Sequence, residues 1–416
     1  MSTTAADGPA PRAAGAAAHP APPQAALGSP AATPAFSGFL RSDGRVGIRN
    51  HVVVLSSVAL ANRLAEIACA PFPHVVRIAG EFTRGLQATD AALQELTLER
   101  LASHPNVGAI LVLTHDAATA RRWQSRIEVL GRPGETLAFM QRSGVGDAIE
   151  RTRLSITRLT LAIANAQPSR HPLSMLTVAL ECGGSDASSA ICANPAIGRY
   201  VDRLVAAGGS AIVSETAEFI GAEPAVRAQA QDAGVSSRIL ERIAATETRM
   251  ASDGDLYRGV NPTAENIEAG LTTLIEKSMG AFCKTGTTPI LSCLDFGEPP
   301  RSKGLHFMDT PFFSPCSITG MVAAGAQLTL FAMGVFNPSG NPLAPTLKLC
   351  GNPRTVATWH DGIDLDLQRI ADGSLSLDAA ASMVHDAVID CASGETTKTE
   401  RWGEGQFIVP KTLASF

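Results

Sequence analysis

Four groups of polar residues stand out against an otherwise apolar chain. Arg45, Arg49 and Asn50 lie together just before an apolar run, and two guanidiniums with an amide suit bidentate capture of a carboxylate. The bland alternative is an arginine network that ties the segment down. Cys182, Gly183, Gly184, Ser185 and Asp186 follow a second apolar run, with Asn194 and Pro195 opening the next helical pattern. The glycine pair lets backbone approach a ligand, Ser185 and Asn194 are candidate substrate contacts, and a helix start favours anions. Cys182 and Asp186 are candidate metal ligands, since thiolate and carboxylate suit iron or zinc. A tight turn with a buried Cys and a capping Asp is the competing reading. Glu215, at the end of a strand pattern and followed by Glu218, is a candidate general base or metal ligand, against an N-cap pair for the turn after it. The longest group runs through Asn261, Thr273, Glu276, Lys277, Lys284, Asp309, Thr310, Thr319 and Lys348. Hydroxyls, glycines and lysines at this density fit a site for a polyhydroxylated or oxyanionic substrate, rather than a charge-rich solvated face.

The elements that must position these groups alternate. The run 51–58 reads as a buried strand, helical patterns cover 60–70 and 90–103, and a strand covers 107–113. Helical patterns follow at 117–130 and 145–165, and 166–173 reads as a linker. The second half repeats the order: strand 175–182, helix 195–207, strand 210–214, a long helical pattern 224–251, then short strands and glycine-rich loops to Cys350, and a helix 378–392. This predicts an α/β fold: a Rossmann-like parallel-sheet domain over 37–168, then a second α/β domain over 169–416 that carries the chemistry. Residues 1–36, almost all Ala, Pro, Gly, Ser and Thr, cannot bury enough apolar surface to offset their ordering entropy and read as a disordered tail.

The bulk numbers narrow the class. The 416 residues are 45% hydrophobic, with a net charge of −5 and no Lys/Arg run, which argues against a nucleic-acid surface. No stretch reaches the roughly 20 apolar residues that span a bilayer, and the N-terminus lacks the apolar core of a signal peptide. Eight scattered cysteines without a CxxC pair point to reduced thiols and a cytoplasmic enzyme. A GxGxxG helix start, a Walker A loop, HExxH and GxSxG are all missing.

Taken in order, these clusters resemble the large subunit or domain of the altronate/galactarate dehydratase family, which also contains the large subunit of sulfolactate sulfo-lyase. The matching stretches are DGRVGIRN (43–50), HPNVGAILV (104–112), CGGSD (182–186) with ANPAIG (193–198), and SETAEFIGAE (214–223). They continue with NPTAENIEAGLTTLIEKSMGAFCKTGTTP (261–289), FMDTPFFSPCSITGMVAAGAQ (307–327) and IADG (370–373). The resemblance implies a metal-dependent hydro-lyase that dehydrates a sugar acid or related hydroxy-acid to a 2-keto acid. Iron(II), or manganese(II) in its place, would be the cofactor. Glu215, Glu276, Lys277, Lys284 and Asp309 would be catalytic. Arg45, Arg49, Asn50, Ser185, Asn194, Thr273, Thr310 and Lys348 would contact substrate, and Cys182 and Asp186 would hold metal. A carbon–sulfur lyase and a non-catalytic ligand-binding relative are the alternatives. The family's His falls on Gly80 and its cysteines on Arg84, Ala117 and near Leu60. Its Gly-Arg-Gly-Ser loop is replaced by Gly334-Val335-Phe336-Asn337. The small N-terminal domain of single-chain members is expected on a separate small subunit, and a homo-oligomer is possible within the family.

Overall fold

A computed structural model describes residues 34–141, 144–251 and 261–413. The strand His51–Ser56 starts a four-stranded parallel sheet ordered Val76–Ile78, His51–Ser56, Val107–Thr114 and Gly134–Ala138. Val107–Thr114 is buried along its whole length, which is why its sequence is a continuous apolar run rather than an alternation. Helices return the chain between strands. Ala117–Leu130 is capped at its start by Asp116, which accepts from the Thr119 N–H, and stopped by Gly131 in the left-handed region.

The second sheet has seven parallel strands in the order Ile290–Leu294, Leu305–Met308, Ser210–Val213, Thr177–Gly183, Leu328–Met333, Thr346–Cys350 and Leu365–Asp366. Its first strand in the chain, Thr177–Gly183, therefore sits beside Leu328–Met333, with successive connections leading away on either side. Such a reversal point opens a crevice at the carboxyl ends of the strands. The two sheets share a core. Val53, Leu55 and Ile110 of the first cluster with Ala179, Ile212 and Met308 of the second, through Ile318, Met321 and Val322 of the helix Ser314–Ala323. The α/β, parallel-sheet expectation is what the structure shows.

Three expectations shift. The predicted tail ends before residue 35: Ala35–Leu40 is a strand, antiparallel to Ser169–Pro172, and Phe36 is buried. The rest of that stretch, residues 1–33, lies outside the described residues. The stretch expected as linker is thus partly strand. The long helix expected over 224–251 is two, Glu223–Gln229 and Ala233–Ala251, because Ala230 and Gln231 leave to pair with Ile290 and Asp232 caps the second helix. Among the described residues no helix is long and apolar enough to cross a membrane.

Candidate functional site

The strand Thr177–Gly183 ends in Glu181, Cys182 and Gly183, and the chain then turns through Gly184 at φ 61°. A Cβ there would stand 2.1 Å from the Val335 carbonyl oxygen, so only glycine fits. The Gly184 carbonyl accepts from the N–H groups of Gly334 and Val335, at 3.1 and 2.7 Å. That stitches the two loops at the reversal point into one floor. Over this floor lies a cavity of about 760 Å³, lined by the turn 182–185, Glu215, Glu218, Asn266, Lys277, the start of the Ser314–Ala323 helix and the loop 335–339.

Glu215 directly follows Ser214 at the end of the strand Ser210–Val213, with φ 67°. It is the one non-glycine residue with positive φ among the described residues. Such a conformation costs about 1–3 kcal/mol and persists only where surroundings enforce it. Here the Glu215 N–H is held by Thr310 Oγ1 at 2.9 Å. The side chain is buried, next to two further buried carboxyls, Glu181 and Glu218. Glu218 pairs with Lys284 at 2.6 Å, both fully buried. Glu181 accepts from Ser317 Oγ at 2.7 Å, and its other oxygen meets no N–H or hydroxyl donor.

Glu181 and Glu215 belong to the same buried cluster of carboxyls, and crowding of like charges away from water favours their protonated forms. Burial, and then the charge on Glu218, push Glu181 up to about 7, against the pull of Lys284. Burial and the neighbouring carboxyls hold Glu215 well above the ordinary carboxylate range. Burial alone would lower Lys284, but Glu218, Cys182 and Glu181 outweigh it and raise its pKa.

Lys277, which also lines the cavity, is buried on the helix Leu274–Phe282. Its Nζ donates to Asn266 Oδ1 at 3.0 Å and stands 4.3 Å from the centre of the Phe312 ring. Phe313, Ser314 and Pro315 bring the amino end of the ten-residue helix Ser314–Ala323, the positive end of its dipole, to the same space. The cavity lining thus combines two buried carboxyls, Glu215 and Glu218, with the Lys277 ammonium and a helix amino end.

Of the residues expected at the site, Cys182, Ser185, Glu215 and Lys277 line this cavity. Thr310 stands behind Glu215, and Lys284 stands behind Glu218. Asn194 donates to Cys182 Sγ at 3.4 Å from below. The others are elsewhere. Glu276 is exposed and accepts from the Thr272 N–H at 2.9 Å, and Thr273 accepts from the Glu276 N–H at 3.1 Å; both cap their helix. Asp309 accepts from Thr216 Oγ1 at 2.6 Å and does not line the cavity. Lys348 is tied to Glu404 and covered by Phe336, its Nζ 4.7 Å from the ring centre.

Arg45, Arg49 and Asn50 precede the strand His51–Ser56 and so lie at its amino end. Arg49 bonds Glu400 at 2.7 Å and the Cys391 and Glu395 carbonyls. Arg45 bonds Asp43 at 2.7 Å and the Ser103 carbonyl. Asn50 Oδ1 accepts from Arg41 at 2.8 Å. These bonds commit most of their polar atoms to holding the chain together, and none of the three lines the cavity.

The expected metal donors are likewise committed. Asp186 accepts from Ser188 Oγ at 2.7 Å, the Ser189 N–H at 2.8 Å and Asn352 Nδ2 at 2.7 Å. Burial, and then Glu218, raise the Cys182 thiol, which is bonded by Ser185 and Asn194. A neutral thiol and a spent carboxylate do not fit a divalent ion, and among the described residues no three His, Cys, Asp or Glu side chains gather in metal-holding geometry. Two site residues were not singled out from sequence. Glu181 had one signal, a lone acid inside the apolar run TVALECG. Asn266 had none, because its partners are 11 and 81 residues away.

The comparisons with known proteins run along nearly the whole described chain. The profile for "D-galactarate/Altronate dehydratase, C-terminal" matches residues 173–415. That for "D-galactarate dehydratase/Altronate hydrolase, second domain" matches residues 38–164. The chain is 30% identical over 384 residues to (2R)-sulfolactate sulfo-lyase subunit beta of Chromohalobacter salexigens, covering 91% of this chain and 98% of that one. It is 28% identical to altronate dehydratase of Bacillus subtilis, covering 88% of this chain and 75% of the relative. It is 31% identical over 233 residues to galactarate dehydratase (L-threo-forming) of Escherichia coli, covering 56% of this chain and 44% of the relative.

Proposed function

Because this chain belongs to the D-galactarate/altronate dehydratase family, we propose that it is a carbon–oxygen lyase that dehydrates a sugar acid or related hydroxy-acid to a 2-keto acid. The observation that carries this reading is the strained, buried Glu215, which lines one cavity together with the buried Lys277. The substrate carboxylate lies toward Lys277 and the amino end of the Ser314–Ala323 helix. Glu215 takes the proton from the adjacent carbon. The negative charge that develops on the carboxylate side faces the ammonium and the helix end, which stabilise it. Glu215 then returns that proton to the β-hydroxyl, which leaves as water. The enol so formed becomes the 2-keto acid, and Glu215 is back in its starting state. No step is routed through a metal.

Altronate, galactarate and (2R)-sulfolactate form the test panel, with 2-keto acid and sulfite as separate readouts. Keto-acid formation from a sugar acid, silenced in E215Q, is the expected result. Sulfite release from sulfolactate would instead favour a carbon–sulfur lyase, a reading supported by the sulfo-lyase subunit that is matched over 98% of its length. That relative is a subunit beta, so a separate small subunit belongs to this proposal. The assays are run with the chain alone and with the co-expressed product of a neighbouring reading frame for a small domain. No turnover in either arrangement would sink the lyase reading.

A further inference from the structure

A lysine ammonium at the end of four methylenes is a poor electrostatic aim unless something removes its rotamer freedom. Lys277 has three N–H donors. One goes to Asn266 Oδ1 at 3.0 Å, and the ammonium sits over the Phe312 ring at 4.3 Å. That leaves donor capacity for the cavity, which Lys277 lines.

The amide that receives it has no slack. Asn266 is 3% exposed. Its Oδ1 also accepts the Thr263 N–H at 3.0 Å, and Thr263 Oγ1 in turn accepts the Asn266 N–H at 3.3 Å. Its Nδ2 donates to the Ser185 carbonyl at 2.9 Å. Every polar atom of the side chain is therefore fixed, by groups from two segments besides the lysine. The Ser185 end is in the same glycine turn that forms the cavity floor. Asn266 thereby sets the ammonium in register with the turn that faces the substrate.

We propose that Asn266 is the positioning residue for the substrate-binding ammonium of Lys277, through an amide that joins it to the Gly183-Gly184-Ser185 turn. The inference rests on reading the cavity as the hydroxy-acid site. Its test has two readouts. The first needs no turnover. In protein labelled with 15N-lysine, the Lys277 ammonium signal is the one lost in K277M. N266A is expected to expose that ammonium to rapid solvent exchange while the buried Lys284 signal stays protected. Protection of Lys277 unchanged in N266A overturns the proposal.

The second readout is coupling. N266A is expected to lower kcat/KM by roughly 10–100-fold, the cost of a misplaced binding group. In the K277M background it should add less than about twofold, because the two residues act as one unit. An equal loss in both backgrounds overturns the role. N266D keeps both acceptor contacts, so it should keep the ammonium protected while raising KM, since the new carboxylate neutralises it. If N266A does not fold, an unchanged KM in N266D decides against the proposal. No turnover on any hydroxy-acid, with the exchange pattern as expected, would overturn the lyase reading and leave the positioning role standing.

Discussion

Lys277 and Glu215 line one cavity with different proposed tasks, and their substitutions should separate. K277M removes a charge that meets the substrate before and during reaction, so KM rises together with the loss of kcat. E215Q removes the base alone and should cost roughly 10²–10⁴ in kcat with KM little changed, the usual range for a general acid or base. Steady-state kinetics with a thermal melt of each variant checks this. A sharply lowered melting temperature with normal turnover per folded molecule would make the residues structural.

Glu181 makes a pH prediction with a definite sign. Its folded pKa of about 7 lies above its ordinary 4.5, so the folded state binds its proton more tightly than the unfolded chain does. The associated stability is fully present below pH 4.5 and is lost as pH rises toward 7; above that the loss is complete. At about 1.4 kcal/mol per pKa unit, it is on the order of 3 kcal/mol. E181Q cannot ionise. The stability difference between wild type and E181Q, measured by urea unfolding, should therefore shift toward the variant between pH 5 and 8. A difference that stays flat across that range would show that Glu181 is ionised throughout.

At the scale of elements, the strand Ala35–Leu40 marks where folding begins to depend on sequence. Phe36 belongs to the main core with Val46, Ile48 and Leu173. F36A should cost about 3–5 kcal/mol, as expected for a buried phenylalanine left as a cavity. Deleting residues 2–33, which are mostly Ala, Pro, Gly, Ser and Thr, should leave the thermal midpoint where it was. Differential scanning calorimetry on both variants is the check. A lowered midpoint in the deletion would mean that the Ala/Pro segment adds packing of its own.

Over the whole molecule, polar contacts tie together residues far apart in sequence. Arg49 precedes the first parallel strand and Glu400 lies close to the end of the chain, and they meet at 2.7 Å, both largely shielded from water. His104 and Asn106 likewise reach Ala326, Gln327 and Leu343. Breaking a buried pair by removing one partner costs about 3–5 kcal/mol, since the other charge stays behind. R49M should therefore lower stability by about that much without changing KM for any hydroxy-acid. A KM change at unchanged stability would return Arg49 to the substrate site. The measurement is a denaturant titration beside steady-state kinetics.

Much of this was legible in the order of residues alone. Continuous apolar runs such as 107–113 can only be strands covered on both faces, so the parallel α/β class follows from local pattern. Glu215 was legible too, because an acid at the end of such a run must face a crevice or be neutralised. Which of two roles Arg49 takes was not legible, for a physical reason. A guanidinium satisfies protein carbonyls as readily as it does a ligand, and what Arg49 meets is Glu400 and Cys391, more than 300 residues away. The same holds for Asp186, whose carboxylate is taken up by Asn352. Glu181 is marked only as a lone acid in an apolar run, and Asn266 carries no local mark of function. Only tertiary structure, by closing the Thr177–Gly183 strand against Leu328–Met333 and folding 261–277 over the result, decided which polar groups point into one space.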